Sequence, residues 1–141
     1  MEDLHNNIMP KRVISPVSLA DNTAQVGQII DRQGYESLEY LIATGSLPDA
    51  DGTFTVLLEE GDIANLSDAV AVADKDLLGT EALASFTFAD DNKLFKLGYK
   101  GVKRYTRLTI TPANLAAAAE LICAIAVLGD PSNAPTANPP A

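Results

Sequence analysis

Apolar and polar residues alternate with a two-residue period along much of the chain, the pattern of strands with one buried face. Lys11 to Leu19 reads as a strand, with Val13, Ser15, Val17 and Leu19 on one side, and Pro16 makes it an edge strand because proline cannot donate to a ladder. Thr23 to Asp31 sets Ala24, Val26, Gln28 and Ile30 on one face and stops near Gly34. Tyr35 to Thr44 buries Leu38, Tyr40 and Ile42; Thr53 to Glu60 buries Phe54, Val56 and Leu58. The turn formers of Gly45 to Gly52 join these two runs in a predicted hairpin.

Beyond them the signal weakens and then returns. Residues 61–79 are predicted irregular, with Val70–Val72 as a candidate short strand and Asn65 or Ser67 as caps of a helical turn. Phe86 and Phe88 stand at strand spacing before the Asp90-Asp91-Asn92 turn. Lys93 to Pro112 predicts a second hairpin about a glycine-containing turn. Phe95, Leu97 and Tyr99 share one face, Thr106, Leu108 and Ile110 another, and Tyr105 and Arg107 point away from it. The last apolar segment reads two ways. Asn114 and Gly129 would bound a helix, whereas the β-branched Ile122, Ile125 and Val127 favour a buried strand over 121–128 with a loop before it. With an all-β pattern ahead of it, the strand is preferred. The total is about eight strands, and the expected fold is all-β: a jelly roll or antiparallel β-sandwich. The expected organisation is a mobile arm over 1–10, a domain over 11–129, and an extended or disordered tail over 130–141, rich in Pro, Ala and Asn.

Composition narrows the class. A chain of 141 residues with 47% hydrophobic content can build its own core. The first twenty residues show no secretory pattern, and the longest apolar run, Leu115 to Leu128, is broken by Glu120 and falls short of the ~20 residues of a membrane span. A soluble protein made in a cytoplasm is therefore expected, without membrane contact. The single cysteine, Cys123, sits in an apolar run and reads as a buried, inert thiol. A net charge of −9 argues against direct nucleic-acid binding. That charge is unevenly spread: Lys93, Lys96, Lys100, Lys103, Arg104 and Arg107 occur with no acid among them, leaving four basic residues against nineteen acidic ones elsewhere. Such a segment can meet an acidic partner or simply be a solvated face.

No catalytic constellation emerges. The only histidine, His5, lies in the expected arm, so no base accompanies a nucleophile, and one Cys with one His cannot close a zinc site. Gly98 to Gly101 has predicted strands on both sides and is a turn, not a phosphate cradle. A calcium loop started at Asp49 would use Asp51, Thr53 and Glu60, but Phe54 falls where glycine is required. No enzyme activity, metal or cofactor is expected. The candidate partner-binding residues are Lys100, Lys103, Arg104, Tyr105 and Arg107, because Tyr and Arg anchor interfaces, together with Lys11 and Arg12 of the edge strand.

Four stretches carry a family resemblance: Ile30–Tyr40, Gly52–Glu60, Ala89–Asn92 and Gly98–Thr111. Over residues 1–130 the chain resembles the head cement (decoration) proteins of tailed phages, those of Bordetella-infecting phages in particular. The resemblance implies a jelly roll without enzymatic activity. It further implies a homodimer attached to the outer face of the phage head, bridging neighbouring capsomers of the major capsid protein. A tail or baseplate accessory domain, or a carbohydrate-binding jelly roll, is the alternative.

Overall fold

The structure is a computed structural model and describes residues 2–140. Its strands are β1 (Ile8–Leu19), β2 (Gln25–Val26), β3 (Ile30–Asp31), β4 (Tyr35–Thr44), β5 (Thr53–Gly61), β6 (Val70–Ala71), β7 (Leu77–Leu78), β8 (Phe86–Thr87), β9 (Leu94–Tyr99), β10 (Tyr105–Ala113) and β11 (Glu120–Pro131). A four-residue helix, α1 (Glu81–Ala84), is capped by Thr80, whose side chain accepts the Leu83 N–H. The strands form an antiparallel sandwich of the jelly-roll kind. One sheet has the order β1-β11-β4-β9-β7; the other runs β2-β10-β5-β6, with β3 also on β10 and β8 also on β5. Beyond the six long strands, the additional ones are two-residue pieces along the margins.

The inward sides close on one core. Tyr40, Ile42, Leu97, Tyr99 and Leu128 of the five-stranded sheet meet Phe54, Leu58, Leu108 and Ile110 of the other, all essentially inaccessible. Phe54 stacks on Phe86 at 4.7 Å between centroids, and Phe86 on Phe95 at 5.3 Å. Such offset aromatic contacts add to the stabilisation from burial alone. Polar contacts also span the core, among them Tyr40 Oη and Thr106 Oγ1, 2.6 Å apart.

Both predicted hairpins separate. β4 and β9 belong to the five-stranded sheet, while β5 and β10 belong to the other, where they pair from Tyr105↔Gly61 to Ala113↔Thr53. The segments 45–52 and 100–104 therefore pass between sheets instead of turning within one. Alternation marks which face of a strand is buried; it does not name the neighbour, and two strands burying opposite sides of one core fit the same pattern.

The expected strand over 23–31 is broken for a related reason. Gly27 donates its N–H to Leu108 O at 2.8 Å, and Gln28 donates to Val13 O at 3.0 Å, so the segment leaves β10 to touch β1 of the opposite sheet. A Cβ on Gly27 would lie 2.5 Å from Leu108 O, a distance only glycine permits.

β1 is an edge strand, as Pro16 required, and register shifts interrupt its pairing with β11 on either side of Ile14. The strand begins at Ile8, inside the segment expected to be an arm. His5–Asn7 forms a single 3-10 turn before it, and Ile8, Met9 and Pro10 pair with Gly129, Leu128 and Val127. The tail returns to this start: Thr136 donates its N–H to Asn6 O at 3.0 Å and its hydroxyl to Ile8 O at 2.6 Å. Met1 and Ala141, the ends of the expected arm and tail, lie outside the described residues.

β5 shows how a margin is protected. Its ends pair with β8 and β6, and between them the Val56 N–H finds Ser85 Oγ at 3.0 Å and the Leu58 N–H finds Glu81 Oε1 at 2.7 Å. Helix α1 thereby caps an edge that would otherwise expose unpaired donors. Among the described residues, no helix is long and apolar enough to cross a membrane.

Candidate interaction surface

The basic residues singled out in the sequence gather mainly at the end of the sandwich where 100–104 crosses between sheets, and acidic side chains meet most of them. Lys103 Nζ lies 2.6 Å from Asp62 Oδ2. Arg104 grips Asp31 with two bonds, Nε to Oδ1 at 2.8 Å and Nη2 to Oδ2 at 2.9 Å, and reaches Gln33 Oε1 at 2.6 Å. Arg104 holds the Asp31 carboxyl below its usual range. Its guanidinium also lies 5.0 Å from the centre of the Tyr105 ring. Arg107 pairs across the ladder with Glu59, 3.1 Å away. Lys93, outside the candidate set, pairs with Asp90 at 2.9 Å.

Of the remaining candidates, Lys100 is exposed, and its backbone N–H donates to Asp76 O at 2.9 Å. Lys11 lies within electrostatic reach of Asp31, and Arg12 donates to Ser15 Oγ at 3.0 Å. The run of like charge in the sequence is thus interleaved with acids supplied by β3, β5 and the turn after it. Sequence distance hid the pairing, because Asp31 and Arg104 are far apart along the chain.

Beneath this end lies a buried polar network. The Tyr99 hydroxyl donates to Glu60 and accepts the Lys103 N–H at 3.0 Å, while the Arg32 guanidinium covers the ring at 4.8 Å. Burial, followed by the Glu60 carboxylate, pushes the Tyr99 phenol well above its usual range. The residues of the hypothetical calcium loop are drawn apart. Glu60 is committed to Tyr99 at one end of β5, whereas Asp49 at the other accepts the Ala116 N–H at 3.0 Å.

A second feature was not singled out in the sequence. β11 is apolar on both sides, yet only its inner side meets the core. On the outer side Cys123, Ile125 and Val127 stand in register with Ala43, Leu41 and Glu39 of β4, and these with Leu94, Lys96 and Gly98 of β9, while Leu121 continues the β11 row beside Gly45, whose N–H its carbonyl accepts. Leu94 is 80% exposed, Leu83 73%, Leu78 51%, Leu121 43% and Ile125 41%, so aliphatic side chains cover this face from the middle of the sheet to its β7 margin. Cys123, expected in the core, is half-buried here. It lines an apolar groove of about 440 Å³ with Pro16, Val17, Ala43, Gly45 and Leu121.

The charged side chains set in these rows are Arg12, Lys96 and Glu39. Partial burial raises the Glu39 carboxyl above its usual range, with Lys96 opposing the shift. An apolar run flanked by strand signals reads as a strand covered on both sides, and among the described residues only one side is covered.

The sequence matches no protein-family model and no curated protein. Solved structures resemble the chain to different degrees. The xylan-binding module CBM15 superimposes with a TM-score of 0.50 at 10% identity, over 93% of this chain and 95% of that one. The SPBc2 prophage-derived protein YomS gives 0.44 at 9% identity, covering 86% of this chain and 96% of that one. The PBSX exported protein XepA gives 0.48 at 18% identity over 92% of this chain, which spans 39% of that protein's length. At these identities the likeness is one of fold, and the xylan-binding module establishes it as the jelly-roll sandwich that the alternating pattern predicts.

Proposed function

We propose that this protein is a head cement protein: a homodimer that attaches to the outer face of a tailed-phage head, bridges neighbouring capsomers of the major capsid protein, and acts by contact without catalysis. The phage assignment rests on the sequence resemblance. The observation that supports a contact role is the outer face of the five-stranded sheet, where β11 presents an aliphatic row that the described residues leave uncovered. A second copy is the occupant this face suits. A chain of net charge −9 repels its own kind over most of its surface, but Arg12, Lys96 and Glu39 make these rows locally close to neutral. Opposite signs beside an apolar centre also allow one Lys96 to meet the other copy's Glu39 in a two-fold arrangement.

The end of the sandwich carrying Lys100, Lys103, Arg104, Tyr105 and Arg107, and the β1 edge at Lys11, then remain for the capsid protein, while Arg12 belongs to the dimer face. Each dimer would bind at two points, and bivalent attachment strengthens holding through high effective concentration.

Quantitative mass spectrometry of purified heads tests the assignment. Many copies per head, released together with a loss of head stability, are expected; absence from the virion overturns it. Charge reversal of Lys103, Arg104 and Arg107 should lower occupancy on purified shells, and unchanged binding would remove that end from the capsid contact. Glycan-array binding without shell binding would instead identify a carbohydrate-binding module, and recovery in purified tails a baseplate accessory.

A further inference from the structure

At the end of the sandwich opposite the basic residues, two connections run side by side: 45–52 from β4 to β5, and 114–119 from β10 to β11. Two carboxyl groups tie them together. Glu120, the first residue of β11, is fully enclosed. Its Oε1 accepts the Asp49 N–H at 2.7 Å, and its Oε2 is buried without a hydrogen-bond partner. Asp49 is also buried, its Oδ2 accepts the Ala116 N–H at 3.0 Å, and its carboxyl lies within hydrogen-bonding reach of Glu120.

An orphaned carboxylate oxygen in such a place is costly, whereas a proton held between the two groups satisfies it. The charged groups facing Glu120 are Asp49 and, from the turn before β9, Asp91, which accepts the Leu47 N–H at 3.1 Å. Both are carboxyls. Across the ladder stands Leu19, and residues 113–119 contain no ionisable side chain.

The tethered loop has backbone strain to restrain. Asn114 and Ala117 adopt φ of 62° and 75°. Its other anchors are the Leu115 N–H on Asn22 Oδ1 at 3.0 Å and the Leu115 side chain against the core.

We propose that Glu120 and Asp49 form a proton-sharing clasp pinning the 114–119 loop to the β4–β5 connection, and that losing the shared proton at rising pH releases the loop. Burial first, opposed by the hydrogen bond from the Asp49 N–H and reinforced by the facing carboxyls, holds the Glu120 carboxyl above its ordinary value of 4.5, in keeping with this. Release loosens the wall of the apolar groove that Gly45, Leu121 and Ile122 form. The clasp stands on its own geometry and does not depend on the cement assignment.

The test compares the full chain with Glu120→Gln, whose amide keeps the acceptor for Asp49 N–H and supplies a permanent donor to the Asp49 carboxylate. Above the ordinary glutamate value, the unfolding constant of the unsubstituted protein should rise by up to about tenfold per pH unit until Glu120 is ionised. E120Q should lack that component. In the unsubstituted protein, hydrogen exchange at Asp49 and Ala116 should lose protection over the same range, while the β5–β10 ladder keeps its own. Parallel pH profiles for the two proteins overturn the clasp. Should E120Q fail to fold, ¹³C NMR of the Glu120 carboxyl decides alone: titration above the ordinary glutamate value supports the shared proton, and titration at or below it overturns the proposal.

Discussion

Tyr99 links three parts of the molecule that are distant in sequence. Its hydroxyl serves Glu60 of β5 and the Lys103 N–H of the crossing segment, and its ring lies under Arg32. Removing the hydroxyl in Tyr99→Phe leaves a buried carboxylate and a backbone donor without partners, an expected loss of about 2–3 kcal/mol in urea unfolding. Tyr40→Phe is the control: it breaks only the pair with Thr106, and the remaining hydroxyl can rotate, so about 1 kcal/mol is expected. Equal losses would show that Tyr99 is not the hub of the network. Alternation identified both tyrosines as inward-facing, but their polar tips were not legible, because Glu60 and Thr106 reach them only after the sheets close.

Among the elements, β11 is the informative one, since its two sides meet different surroundings. Leu128→Ala empties a fully buried site and should cost about 2–5 kcal/mol. Ile125→Ser, on the outer side, should leave monomer stability within about 0.5 kcal/mol, since it removes no core contact. It should instead weaken self-association in sedimentation equilibrium. An I125S protein that associates as strongly as the unsubstituted one would take the dimer contact away from this sheet. A strand for 121–128 was legible from its β-branched residues; the open side was not, because burial of one face and burial of both give the same sequence.

For the whole molecule, the carboxyl groups pull stability in opposite directions with pH. Asp31, Asp68 and Asp90 are held below their ordinary value of 3.8, chiefly by hydrogen bonds from Arg104, the Asp62 N–H and the Thr87 N–H. The folded state therefore binds their protons less tightly than the unfolded chain, and the stability they contribute is present above that value and lost as pH falls. Glu39 and Glu120 are shifted the other way by burial, so their contribution is full below 4.5 and lost as pH rises through their raised values. Thermal unfolding across pH should peak in the mildly acidic range, and Glu120→Gln should move the maximum to higher pH. A profile that rises steadily to neutral pH would contradict this balance.

The sequence by itself determined the all-β character, the long strands and the residues that face inward, because side-chain period and turn chemistry act over a few neighbouring positions. Only the tertiary structure decided which strands lie side by side, which acids meet the basic segment, and which apolar row has no cover. Each depends on segments brought together by closure of the core, and a local pattern carries no record of its partner across the fold.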